Sequence, residues 1–259
     1  MSKLRNTLEK GSNFIAYLTA GDPSIDYTVE AILALESAGV SIIELGIPFS
    51  DPVADGPVIQ RAMQRSLDRG FVMADILTIL QRVREKSAIP IILFTYCNPI
   101  LQAGEEFLIQ AKQCGCDALL IVDAPLEELE PFEQITDAID LELVLLATPS
   151  SSKERLEFLS SRAKSCIYYV SRKGVTGEKS SLPADFAKNV EKIRQICSVP
   201  IMSGFGISEK NMAHEVLELA DGFVVGSAIV SAIEKGSTTT ELASLAKSIN
   251  PLHHLVEEL

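Results

Sequence analysis

Three carboxylates fall within one short stretch, Glu44-Leu-Gly-Ile-Pro-Phe-Ser-Asp-Pro-Val-Ala-Asp-Gly-Pro57, and they carry the first chemical signal. Glu44 lies between Ile42-Ile43 and Leu45, so its side chain starts among apolar neighbours. Burying an ionised carboxylate costs several kcal/mol, so the group is expected to keep its proton to a higher pH than usual. A carboxyl still protonated near neutrality can serve as a general acid. Asp55, between Ala54 and Gly56, reads as a turn residue that stays wet and ionised. Two carboxyls in unlike surroundings are the pattern of an acid/base pair. Strand-end Glu residues also serve as caps or ion-pair partners, and Asp-Pro and Asp-Gly are ordinary turn formers.

A second signal concerns anions. Gly204 and Gly206 permit close backbone approach and positive φ. Gly226-Ser227 opens the helical run Ala228-Ile-Val-Ser-Ala-Ile-Glu, whose first N–H groups have no partner within the helix. Together they suit a phosphate seat. Residues 172–181, Arg-Lys-Gly-Val-Thr-Gly-Glu-Lys-Ser-Ser, form a polar, glycine-hinged stretch that reads as a lid or as a plain solvated loop.

These residues need a scaffold. Eight apolar runs recur: Phe14–Thr19, Val40–Leu45, Ile89–Thr95, Ala118–Val122, Leu141–Ala147, Cys166–Ser171, Val199–Ser203 and Gly222–Val225. Their ends are spaced by 22 to 32 residues, with one step of 50 that leaves room for an extra helix. Continuous apolar strands alternating with amphipathic helices predict a parallel sheet. Helices are predicted over 26–38, 60–69, 73–86, 104–114, 127–138, 153–163, 184–197, 208–219 and 238–248, with an N-terminal helix over 2–10 covering a barrel floor. Eight such units fit a (β/α)8 barrel with extra N-terminal and loop helices, and no Gly/Ser/Pro-rich linker divides residues 1–259, so a single domain is expected. The uncommon residues collect at the carboxyl ends of the predicted strands, the working face of such a barrel.

The net charge of −12 disfavours nucleic acid and anionic membrane surfaces as partners. No apolar run approaches the ~18 residues of a membrane span, and the first residues lack a signal-peptide pattern, so a cytoplasmic location is expected. Five cysteines without C-x-x-C spacing fit reduced thiols, and Cys114-Gly-Cys116 alone is a weak metal signal. None of His214, His253 and His254 neighbours a Ser or Cys in a nucleophile motif.

From Phe14 almost to its end the chain resembles the tryptophan synthase alpha subunit family. The resemblance rests on YLTAGDP (17–23), IELGIPFSDPVADGP (43–57), YCNP (96–99), SRKGVTG (171–177), GFGIS (204–208) and GSAIV (226–230). It implies cofactor-free retro-aldol cleavage of indole-3-glycerol phosphate to indole and glyceraldehyde 3-phosphate. Glu44 would then be the acid/base at the indole C3 and the glycerol hydroxyl, Asp55 the partner of the indole N–H, and Tyr168 a helper that orients the glycerol portion. Tyr17, Phe94, Tyr96, Leu120 and Val122 would form the indole slot. Thr176, Gly177, Phe205, Gly206, Gly226 and Ser227 match substrate- and phosphate-side positions. The resemblance also implies an alpha2beta2 complex in which indole passes to a pyridoxal-phosphate-dependent beta subunit, with residues 48–57 and Asn98-Pro99 facing that partner and Asp51 coupling the two. Ala16, Phe94-Thr95, Cys97 and Thr148-Pro149 depart from the family's usual pattern and bear on the width of the slot. Two other readings stand beside this one. Other phosphate-binding barrel enzymes rely on a paired Asp or a strand-borne Lys, and no apolar run here carries a Lys. A catalytically weak subunit that activates a beta chain would keep the same motifs.

Overall fold

The computed structural model describes residues 2–170, 182–204 and 206–252. Nine strands form one parallel sheet: β1 (Asn13–Thr19), β2 (Ile42–Gly46), β3 (Ile91–Thr95), β4 (Ala118–Ile121), β5 (Glu142–Leu143), β6 (Leu145–Ala147), β7 (Ile167–Val170), β8 (Ile201–Gly204) and β9 (Gly222–Val225). Their order is β5-β4-β3-β2-β1-β9-β8-β7-β6. The two terminal strands of that order are consecutive in the chain, with only Val144 between them. The sheet therefore curls until its ends meet within one stretch of backbone. The single strand predicted over Leu141–Ala147 is thus two. β5 pairs with β4 on one side, β6 pairs with β7 on the other, and the Val144 N–H donates to Leu119 O at 2.9 Å. The result is the (β/α)8 barrel expected from the runs, with one position split at the seam.

Helices α1 (Lys3–Leu8), α2 (Ile25–Ser37), α3 (Pro57–Asp68), α4 (Ala74–Arg84), α5 (Cys97–Gln113), α6 (Glu130–Ala138), α7 (Lys153–Arg162), α8 (Phe186–Ile196), α9 (Lys210–Leu217), α10 (Ser227–Glu234) and α11 (Thr239–Ile249) follow the strands or cap the barrel. The strands are apolar on both faces because both faces are covered. Ala16, Leu18, Ile43, Leu45, Leu93 and Ile121 point outward into the layer beneath the helices. Ile15, Ile42, Ile92, Leu120, Met202 and Val224 fill the interior. Leu4 and Leu8 of α1 join that interior cluster, so the N-terminal helix closes the floor. The alternation has a chemical consequence. On β2, Ile42, Glu44 and Gly46 share the inward face, which carries Glu44 into the barrel.

α5 begins seven residues before the predicted start. The Asp123 carboxylate at the end of β4 accepts the Cys97 N–H at 2.7 Å, and Pro99 falls in the first turn, where its missing N–H forfeits no helical bond. Gly104, at φ 76° and ψ 178°, then breaks the helix into two pieces, and the predicted segment is the second.

Candidate active site

Residues 47–56 leave β2 and fold back across the barrel mouth before α3 begins. The Ile47 N–H donates to Phe94 O at 2.9 Å, anchoring the start. Gln60 Nε2 donates to Asp55 O at 2.9 Å, holding the end against the first turn of α3. Pro57 opens that helix, a position where its fixed φ suits and its absent N–H is harmless. The loop thereby delivers Asp55 into a cavity of about 260 Å³ at the carboxyl end of the strands.

Glu44 and Asp55 both line this cavity. Glu44 is 1% exposed, and burial, then the nearby Asp55, pushes its carboxyl up to about 8. Its Oε1 has no hydrogen-bond partner among the described residues. Asp55 corrects the sequence expectation of a wet, ionised turn residue. It is 4% exposed, and burial raises it to about 6, with a hydrogen bond from Tyr96 pulling the other way. The cause is the loop, which turns the carboxylate inward rather than out to solvent. The order of the two groups is the expected one: between about pH 6 and 8 Asp55 is ionised while Glu44 holds its proton.

Tyr17 and Tyr168 face the pair across the cavity. Desolvation is the main reason both phenols stay well above their ordinary range, with the carboxyls adding to it. Both are therefore neutral O–H groups. Each ring lies over a glycine on the next strand. A Cβ on Gly46 would meet the Tyr17 Oη at 2.1 Å, and one on Gly204 would meet the Tyr168 Oη at 2.2 Å. Gly204 is thus required by the tyrosine beside it rather than by its own backbone. Only Gly206, at φ +22°, shows the expected positive φ in that segment. The Phe94 ring meets Tyr17 edge-on, with centroids 5.2 Å apart, and Val122 lies on the same wall.

Two residues expected in the indole slot lie elsewhere. Leu120 is fully buried one layer below, in the interior cluster over α1, and it is Val122, two residues on, that reaches the cavity. Tyr96 is also fully buried and lies behind Asp55, to which its hydroxyl donates at 2.6 Å. At the far edge, Gly206, Gly226 and Ser227 border the cavity. The first helical bond of α10 runs from Val230 N to Gly226 O, and no side chain caps the helix. The N–H groups of Ser227, Ala228 and Ile229 lack an acceptor within the helix, which makes a seat for an anion. Thr176, Gly177 and Phe205 lie outside the described residues, as does the whole 172–181 stretch. Asp51 is exposed on the loop, where its Oδ2 accepts the Ser50 hydroxyl.

Ile59, Leu146, Val170 and Val224 also line the cavity and were not singled out in the sequence, and Thr148, one of the departures noted there, lines it too. Stepping by two would have found most of the strand residues among them. Val170 follows Tyr168 on the inward face, Leu146 pairs in register with Tyr168, and Val224 precedes Gly226. Ile59 sits in the first turn of α3 and carries no such signal. Among the described residues no group of three or more His, Cys, Asp or Glu side chains is placed to hold a metal ion.

This mouth defines a class: a (β/α)8 barrel with a buried carboxyl pair and a helix start able to seat an anion at the carboxyl end of its strands. The tryptophan synthase alpha chain family model matches residues 3–257. The alpha chain of Chlamydia caviae is 45% identical over 255 residues, covering 97% of this chain and 99% of that one. That of Coxiella burnetii (strain RSA 493 / Nine Mile phase I) is 43% identical over 251 residues, covering 97% and 94%. Among solved structures, tryptophan synthase subunit alpha from Legionella pneumophila superposes with a TM-score of 0.89 at 33% identity, covering 98% of this chain and 99% of that chain. This chain belongs to the tryptophan synthase alpha chain family.

Proposed function

We propose that this chain is a carbon–carbon lyase that splits indole-3-glycerol phosphate into indole and glyceraldehyde 3-phosphate, as the alpha subunit of tryptophan synthase in L-tryptophan biosynthesis. One observation carries the reading: a buried Glu44 that holds its proton near neutrality shares a cavity with an ionised Asp55. The reaction needs both states. A proton must be added to the indole C3, which makes the ring cationic. The hydroxyl on the attached glycerol carbon must lose its proton as the C–C bond breaks. The bonding pair then returns to the ring, and that carbon becomes the aldehyde. Glu44 supplies the C3 proton and, as carboxylate, takes the hydroxyl's, so the proton count closes without water. Asp55 accepts the indole N–H and offsets the ring's positive charge. Tyr168 orients the glycerol portion, Tyr17, Phe94 and Val122 flank the indole, and Gly206, Gly226 and Ser227 hold the phosphate at the start of α10.

The chain needs no cofactor of its own for these steps, and pyridoxal phosphate resides on the beta subunit. The partner-facing surface comprises residues 48–57 and the first piece of α5. Val53 and Leu101 support this, since they are 78% and 65% exposed. Asp51 couples that surface to Asp55, four residues along the same loop. A cytoplasmic location fits five free cysteines and the lack, among the described residues, of a helix long and apolar enough to cross a membrane.

Indole release from indole-3-glycerol phosphate tests the reading, with the chain alone and with a beta subunit added. Wild type is expected to release indole under both conditions, faster in the complex. Asp55→Asn is expected to lose at least about 10²-fold in both. Beta-chain activation by a chain that releases no indole even in the complex would favour the purely regulatory reading instead. That reading leaves the paired carboxyls without a task.

A further inference from the structure

Tyr96 follows the last residue of β3, in extended conformation (φ −109°, ψ 162°), just before α5. Its side chain rises beneath the 47–56 loop and ends in a polar atom with no access to solvent. That oxygen makes two bonds: it donates to Asp55 Oδ2 at 2.6 Å and accepts the Ala54 N–H at 3.1 Å. With Ala54 donating inward, the one phenol proton goes to the carboxylate. The ring leans on Phe49, with centroids 5.2 Å apart. One side chain thus grips the loop near its start, through Phe49, and at its end, through Ala54 and Asp55.

Among the described residues, the groups facing Asp55 are Glu44 from β2, Tyr17 from β1, Tyr168 from β7 and Tyr96 from the end of β3. No cation is among them. Among the described residues the Tyr96 O–H is the one hydrogen bond to the carboxylate, and none of them pairs with Oδ1. We propose that Tyr96 is the positioning residue for Asp55: it holds Oδ2 from behind and so presents Oδ1 to the cavity, where a substrate N–H is received. Tyr96 does not touch the substrate and acts only through Asp55. The proposal rests on the lyase reading above for its kinetic consequence, and on the hydrogen-bond geometry alone for its electrostatic one. A donor to the charged form favours ionisation, so losing it moves Asp55 further up from its already raised position.

Tyr96→Phe separates this role from packing, because it keeps the ring against Phe49 and deletes only the oxygen. In the complex with a beta subunit, the pH profile of kcat/KM for indole release is expected to fall off on the acid side about one to two pH units higher than in wild type. At pH 7 the loss is expected to be about 2- to 10-fold, and the alkaline limb, set by Glu44, stays in place. A residue that only packs would leave the acid limb where it is. The companion measurement is a 13C carboxyl NMR titration of Asp55 in the wild-type chain and in Tyr96→Phe. An upward move supports the proposal, and an unchanged Asp55 titration overturns it even if the variant is slow. Should wild type release no indole, the lyase reading fails while the titration still decides the role of Tyr96.

Discussion

Glu44 and Asp55 share one cavity but differ in what surrounds each carboxyl. Glu44 has an oxygen with no partner among the described residues, and Asp55 has the Tyr96 hydroxyl. Burial lifts both, and the hydroxyl restrains the second. In the proposed mechanism the active form has Asp55 ionised and Glu44 protonated, so kcat/KM is expected to rise with pH through about 6 and fall through about 8. Glu44→Gln removes the proposed proton donor and is expected to lose about 10²- to 10⁴-fold in kcat with the fold intact by circular dichroism. If Glu44→Gln turns over at the wild-type rate, the role given to Glu44 is wrong. Gly204→Ala tests a different residue. The added methyl would meet the Tyr168 Oη at 2.2 Å, and the ring must swing toward the cavity. The expected result is a loss of affinity for a substrate analogue by calorimetry, with a smaller change in melting temperature than a core deletion produces. The sequence pointed to Glu44 because a charge inside an apolar run is visible as text. It misplaced the surroundings of Asp55, because whether a turn faces water or the mouth depends on where residues 47–56 fold, and Tyr96 is 41 positions away.

At the scale of elements, an ionic latch joins three segments around the mouth. Asp22, after β1, is 2% exposed and accepts Arg65 of α3 through Nε at 3.0 Å and Nη2 at 2.6 Å. Arg65 Nη1 also reaches Glu234 at the end of α10 at 2.8 Å, and Arg61 donates twice to the same carboxylate. The helix that follows Asp55 and the helix whose start borders the cavity are therefore fixed to each other and to the first loop. Arg65→Ala would leave Asp22 buried with, among the described residues, only Arg69, 3.7 Å away. A broken buried pair costs several kcal/mol, so a loss of about 3 kcal/mol is expected in urea unfolding, larger than for Arg61→Ala, whose side chain is half exposed. Strand and helix periodicities were legible because apolar runs and amphipathic stripes depend on near neighbours. The break in the fifth strand was not, since it is set by barrel closure between β4 and β7. Nor was the early start of α5, which depends on a cap supplied by Asp123, 26 residues downstream.

For the whole molecule, the two raised carboxyls tie stability to pH. The folded state holds protons that the unfolded chain releases, so the interval between the ordinary carboxylate range and about 8 is where the cost builds. Stability from these groups is full below the unfolded value and is lost as pH rises through the folded ones. The melting temperature of wild type is expected to decline from pH 5 to pH 8.5. Glu44→Gln should remove most of the slope above pH 6, on the order of 4 kcal/mol at the alkaline end. A flat profile for wild type in scanning calorimetry would contradict the buried, proton-holding state of Glu44.

The rings of Tyr17 and Tyr168 repeat one diagonal. Tyr17 is level with Glu44 and lies over Gly46, two residues on; Tyr168 is level with Met202 and lies over Gly204, again two residues on. Each pair behaves as a key in a slot. Sliding either strand by one dipeptide would drive the phenol into a side chain, so misaligned barrels jam before they close. The spacing of the chemical groups around the rim is then guarded by steric interlocks in the wall itself, and the loops above are free to change length without carrying that duty.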